Sequence, residues 1–267
     1  MNANESVVPG LVRETIRHPL RFLRRSVSWR WGRKVFAIGF NKTGTTSLDA
    51  TFTELGYLSY HGTGWRKTAR RKYFFFFDAF SDGVPDDFRK LAKDFPRAKF
   101  ILNVRSLDEW LSSRLKHVRR LPRESKNPNW RATPEAVRSW ICEWNEYHVE
   151  VFEHFRDRPE DLLIVNYVRD PLAADRIADF LGSKNRNLSR SHANKAAQKS
   201  LDPELSKLIS NALAEMGIPE REARNDMHCP SYSRIDASMI PSDTSLIYPN
   251  PGSNAELMPR AADPVSQ

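Results

Sequence analysis

An α/β fold with a P-loop-like central parallel β-sheet, flanked by helices on both faces, is predicted by three observations. Short apolar runs alternate with helical segments along the chain, the pattern of parallel strands joined by crossover helices. The first strong run, Val35-Phe36-Ala37-Ile38, leads directly into Gly39-Phe40-Asn41-Lys42-Thr43-Gly44-Thr45-Thr46-Ser47. A later run, 99–104, ends at Arg105 and opens a second helical stretch. Ligands of such sheets collect beyond the carboxyl ends of the strands, where both junctions fall.

The elements follow in order. A strand is expected at 34–39, a helix over about 47–55 and a short strand at 57–60. The aromatic run 73–77 reads as a core strand, since aromatic residues favour strands. A helix is expected over 86–95, a strand over 99–104 and a helix over 107–120. Proline and asparagine make 121–130 a loop. Pro134 then suits the first turn of a long helix reaching Phe155. Trp140 and Trp144 share one face of it by their i, i+4 spacing, and with Trp130 they read as core. A strand at 162–165, a helix at 172–181 ended by Gly182 and a last helix over 203–216 complete the series.

The chain has 267 residues, 40% of them hydrophobic, enough for one large domain with extensions. The expected division is a basic leader at 1–33, a domain at 34–231 and an irregular tail at 232–267, where Pro, Ser, Asn and Asp accumulate. No run reaches the roughly 18–20 apolar residues of a membrane span, and no secretory h-region is evident. Cys142 and Cys229 have no metal or disulfide spacing and read as reduced thiols, which favours the cytoplasm. The net charge is +9, and positions 13–34 concentrate it in Arg13, Arg17, Arg21, Arg24, Arg25, Arg30, Arg33 and Lys34 against Glu14. Such a balance favours anionic partners. Peripheral contact of the leader with a membrane surface is one such reading.

The loop at 39–47 has the makings of a phosphate cradle, because N–H groups and dipole at a helix N-terminus attract anions. An NTPase loop reads G-x-x-x-x-G-K-[ST], with lysine after the second glycine. Here Thr45 holds that place and Lys42 precedes Gly44. The loop therefore suits phosphate without ordinary ATP chemistry. Two more segments reach the same edge: Asp78-Ala79-Phe80-Ser81-Asp82, and Arg105 with Ser113 eight residues on. Arg105 and Ser113 can clamp one anion if the strand-to-helix bend folds the arginine back.

Residues 35–48, VFAIGFNKTGTTSL, resemble the phosphosulfate loop of sulfotransferases that use 3′-phosphoadenylyl sulfate (PAPS). Residues 95–113, FPRAKFILNVRSLDEWLSS, resemble their 3′-phosphate motif, a strand ending in Arg with Ser eight residues on. Residues 161–182 resemble the strand and helix that follow in bacterial members, so the likeness covers roughly 34–195. It implies a sulfotransferase fold, PAPS as donor, adenosine 3′,5′-bisphosphate (PAP) as product and no metal. Lys42 would neutralise the leaving phosphate. Thr43, Gly44, Thr45, Thr46 and Ser47 would hold the 5′-phosphate, and Arg105 with Ser113, or Ser112 in an alternative register, the 3′-phosphate. Asp82, Asp78 and His61 are the candidates for the base that takes the acceptor's proton. The family often closes over the nucleotide with a basic loop. The stretch with Arg190, His192 and Lys195 lacks the clear R-K-G-x-x-G-D-W form and offers cofactor or acceptor contacts. Trp65 reads as core, with stacking on adenine or acceptor as the alternative. The implied partner is a small-molecule or glycan acceptor, with no nucleic acid. The competing readings are a non-catalytic nucleotide- or polyanion-binding module and a P-loop kinase.

Overall fold

The computed structural model describes residues 33–70, 72–120, 131–185, 188 and 202–224. The leader up to residue 32, the loop at 121–130, the stretch holding Arg190, His192 and Lys195, and the tail with Cys229 lie outside the described residues.

Five strands form one parallel sheet: β1 (Val35–Ala37), β2 (Ser59–His61), β3 (Ala79–Ser81), β4 (Lys99–Asn103) and β5 (Leu162–Val165). Their order is β2-β3-β1-β4-β5, with β1 central between β3 and β4. Parallel strands covered on both faces read as continuous apolar runs, and β1, β3 and β5 are buried throughout. Side chains still alternate between faces. Phe36, Phe80 and Phe100 enter one core layer with Trp65 and Phe155. Val35, Ala37 and Ile101 enter the other with Leu48 and Phe52.

The helices are α1 (Thr45–Glu54), α2 (Lys72–Phe76), α3 (Phe88–Asp94), α4 (Leu107–Val118), α5 (Pro134–Phe155), α6 (Ala173–Phe180), α7 (Pro203–Glu215) and α8 (Glu220–Ala223). Helix α5 begins at Pro134 with the Thr133 side chain capping Ala136 N–H, as proline at a first turn allows. Helix α1 starts two residues before the expected Ser47 because Gly44, in the left-handed region at φ 92°, already caps it. A third apolar cluster joins α4, α5 and α7 around Trp110, Trp140 and Trp144, and receives Phe40 from the cradle loop.

The run 73–77 is not a strand. Residues Lys72–Phe76 form the short helix α2, and the strand follows at Ala79–Ser81. Tyr73, Phe74 and Phe77 are buried while Phe75 is exposed, a helical spacing rather than the alternation of a strand. This shift moves Asp78 to the amino end of β3. There its carboxylate pairs with buried Lys34 at 3.3 Å, and its carbonyl accepts from Val35 N–H.

Buried His148 on α5 packs against Trp144 at a tilt of 44°, with ring centroids 4.3 Å apart, and lies 5.7 Å from the Phe40 ring. Its Nδ1 is 2.6 Å from the Trp144 carbonyl oxygen. Burial depresses its pKa to about 4, against a weaker opposing effect of that hydrogen bond. An unfolded imidazole titrates near 6.5, so the unfolded chain binds the extra proton between those values. Stability therefore falls as the pH drops from about 6.5 towards 4, by up to about 3 kcal/mol from this group. Urea titrations at pH 7 and pH 5 should show the loss, and His148→Phe should reduce the difference between them.

Candidate active site

The cradle loop is held by its carbonyl oxygens. Ile38 C=O accepts from the Tyr147 hydroxyl at 2.6 Å, Asn41 C=O from Trp110 Nε1 at 3.0 Å, and Lys42 C=O from Arg105 Nη1 at 3.1 Å. Phe40 C=O accepts from the Thr43 hydroxyl and from Asn103 Nδ2. Asn103, fully buried at the end of β4, also accepts Gly39 N–H at 3.1 Å and donates to Thr43 Oγ1. Glycine at 39 is obligatory in this packing, since a Cβ there would sit 2.1 Å from the Asn103 carbonyl oxygen.

These bonds leave the start of α1 facing a cavity. Gly44 supplies no side-chain cap, and the first N–H groups of a helix have no acceptor within it. Lys42 is also left-handed, at φ 71°, a conformation that non-glycine residues adopt at a cost. Gly44 packs against the turn after β5: a Cβ would lie 3.3 Å from Tyr167 Cβ.

The cavity measures about 770 Å³ and lies across the carboxyl ends of the strands. Lys42, Gly44, Thr45, Thr46 and Ser47 line it, together with Arg105 and Ser113. Ser112, the register alternative, does not line it. Thr43 is fully buried, and its hydroxyl is occupied by Phe40 and Asn103. Its side chain braces the loop instead of meeting a ligand.

Arg105 is oriented by Glu109, whose carboxylate bridges it at 3.1 Å and Arg169 at 2.6 Å. Burial pushes the Glu109 carboxyl up, but Arg169 and Arg105 outweigh it and hold it below its ordinary value. The carboxylate therefore stays ionised. Arg105 donates through Nε and Nη1, and no acceptor takes Nη2 among the described residues. Burial lowers the Lys42 ammonium, Asp82 opposes that, and Arg120 adds to it.

The candidate bases separate. Asp82 directly follows β3 with φ 93° and lines the cavity. His61 lines it too, with Nδ1 2.9 Å from Ser81 Oγ and Nε2 3.5 Å from Thr46 Oγ1. Asp78 stands at the opposite end of β3 and does not reach the cavity. Trp65 is fully buried and donates Nε1–H to Ser81 C=O at 2.7 Å, so it is core and stacks on no ligand.

Sequence reading missed Asn103, Trp110 and Glu109 as supports of the loop and of Arg105. It also passed over Arg66, in the 3-10 turn Thr63–Arg66 after β2, and Arg114 on α4, both of which line the cavity. Their signal was position alone: each stands next to or just beyond the carboxyl edge.

Sheet, cradle and convergent cations define an α/β protein whose carboxyl edge presents a cavity lined by Lys42, Arg66, Arg105 and Arg114. The family described as a sulfotransferase domain matches residues 34–163, a span that holds the cradle, Arg105 and Ser113. That match over 130 residues supports a sulfotransferase family for this part of the chain, and with it a transferase of the sulfuryl-transferring kind. No curated protein and no solved structure gives a match. Among the described residues no helix is long and apolar enough to cross a membrane, and no group of three His, Cys, Asp or Glu side chains is placed to hold a metal ion.

Asn103→Ala would orphan several buried loop groups at about 1–3 kcal/mol each. Urea denaturation should show a loss of at least about 2 kcal/mol.

Proposed function

We propose that the chain transfers the sulfuryl group of PAPS to a hydroxyl or amine of a small-molecule or glycan acceptor and releases PAP. The observation that carries this reading is that two separate anion-binding elements open into one cavity: the start of α1 with Lys42, and Arg105 with Ser113. A 5′-phosphosulfate and a 3′-phosphate need two such elements. The residues fit the donor: the helix start is uncapped by any side chain, and Arg105 Nη2 and the Ser113 hydroxyl have no partner among the described residues. The volume lies within the roughly 300–1,000 Å³ usual for ligand pockets.

Bound PAPS supplies an activated sulfuryl group with a phosphate as leaving group. Thr45 and Thr46 hold the 5′-phosphate through the first turn of α1. Lys42 neutralises the bridging oxygen as it takes the electron pair of the breaking S–O bond, and this help grows in the transition state. The acceptor oxygen forms the new bond to sulfur, and its proton passes to Asp82, with His61 as the second candidate. Arg105 and Ser113 hold the 3′-phosphate, Arg105 by a fork that Glu109 keeps aimed. A reducing, cytoplasmic setting suits the exposed free thiol of Cys142.

Two variants separate the roles. Lys42→Ala should cut turnover of labelled PAPS, with water or an added acceptor, by about 10²–10³ while PAP affinity changes less. Arg105→Ala should weaken PAP by about tenfold or more, as expected for losing a charged hydrogen bond. Unchanged turnover in the first, or unchanged PAP affinity in the second, would remove the assigned role.

A further inference from the structure

The donor reading employs Lys42, the start of α1, Arg105 and Ser113, and leaves other cations of the same cavity unassigned. Arg66 is the most telling. It rises from the 3-10 turn after β2 and lies over Gly83, where a Cβ would meet its Nη1 at 2.9 Å. Asn41 N is 3.7 Å from that same point, so the guanidinium overlies the entrance of the cradle loop. The group is partly buried, and its side chain makes no hydrogen bond or ion pair among the described residues. A guanidinium carries five donors, and withdrawing such a charge from water without acceptors is costly.

A second cation is fixed in place on α4. Arg114 sits 5.2 Å from the Trp110 ring centre and 4.6 Å from that of Trp140, with Glu143 at 3.8 Å. Arg119, further along, turns away to pair with Asp202.

Sheet order decides which ligand Arg66 meets. Arg105 follows β4 on one side of β1, whereas Asp82 and Arg66 follow β3 and β2 on the other. A nucleotide spanning from the β1 loop to Arg105 occupies the β4 side. The β3–β2 side, with Asp82 as base, is left for the acceptor.

We propose that the acceptor carries an oxyanion (a carboxylate, sulfate or phosphate) beside the group that is sulfated, and that Arg66 binds it. The proposal rests on the sulfotransfer reading of this cavity. Arg66 selects charged acceptors over neutral ones of the same shape. Arg114 adds positive potential from the α4 side.

The test uses the full chain saturated with PAP. Glucuronate, 4-hydroxybenzoate and glycerol 3-phosphate are titrated against glucose, 4-hydroxybenzamide and glycerol, with binding read by ligand-observed NMR. At least one anion should bind tenfold or more tighter than its neutral counterpart. Arg66→Gln should lose that preference, Arg66→Lys should keep part of it, and Arg119→Gln should leave it unchanged. PAP affinity should stay within twofold in all three variants. Equal binding of anions and neutral partners, or full anion preference in Arg66→Gln, overturns the proposal while PAP binding still supports the donor site. A large fall of PAP affinity in Arg66→Gln overturns it by giving Arg66 to the nucleotide. Failure of the parent chain to bind PAP removes the donor reading and this inference with it.

Discussion

An anion settles on a helix N-terminus only where nearby carbonyl oxygens point elsewhere, since each would repel it. In this protein the carbonyls of Ile38, Phe40, Asn41 and Lys42 are all taken by side-chain donors from β4, the β4–α4 junction, α4, α5 and the loop itself. Asn103 is the central support, because it bonds Gly39, Phe40 and Thr43 at once from a fully buried position. The positive φ of Lys42 and Gly44 is sustained by these bonds. Local strain of this kind persists where the surroundings over-determine it.

The same bonds connect the site to the rest of the fold. Phe40 carries the loop into the α4–α5–α7 cluster, against the rings of Trp110 and Trp144 at 5.1 and 5.3 Å. Trp110 donates to Asn41 from the same ring that contacts Phe40. Close-packed interiors transmit small displacements, so core changes around these tryptophans should reach the cradle as well as stability. Arg105 links the β4–α4 junction to the cradle loop, since it holds Lys42 C=O while Glu109 fixes its plane.

Much of this was legible in the chain. The apolar run before Gly39 gave β1, and the glycines and threonines after it gave the cradle, because both signals are local. Pro134 and the Trp140–Trp144 spacing marked α5 for the same reason. The aromatic run at 73–77 misled because its residue types favour strands, whereas its burial pattern, which only the packed fold reveals, is helical. That error also displaced Asp78 from the amino end of β3 to the carboxyl edge. Thr43 looked like its neighbours, yet Asn103, sixty residues on, turns its hydroxyl inward. Glu109 and Arg66 gain their positions from strand order and from contacts across the chain, which no local motif encodes.

Calorimetric titration with PAP, 5′-AMP and ATP, each with and without magnesium, tests the two-anion site most directly. PAP should bind at least tenfold tighter than 5′-AMP, because only PAP fills both the α1 and the Arg105 elements, and magnesium should not alter it. Equal affinity for PAP and 5′-AMP, or a preference for ATP with magnesium, would contradict the site as built here.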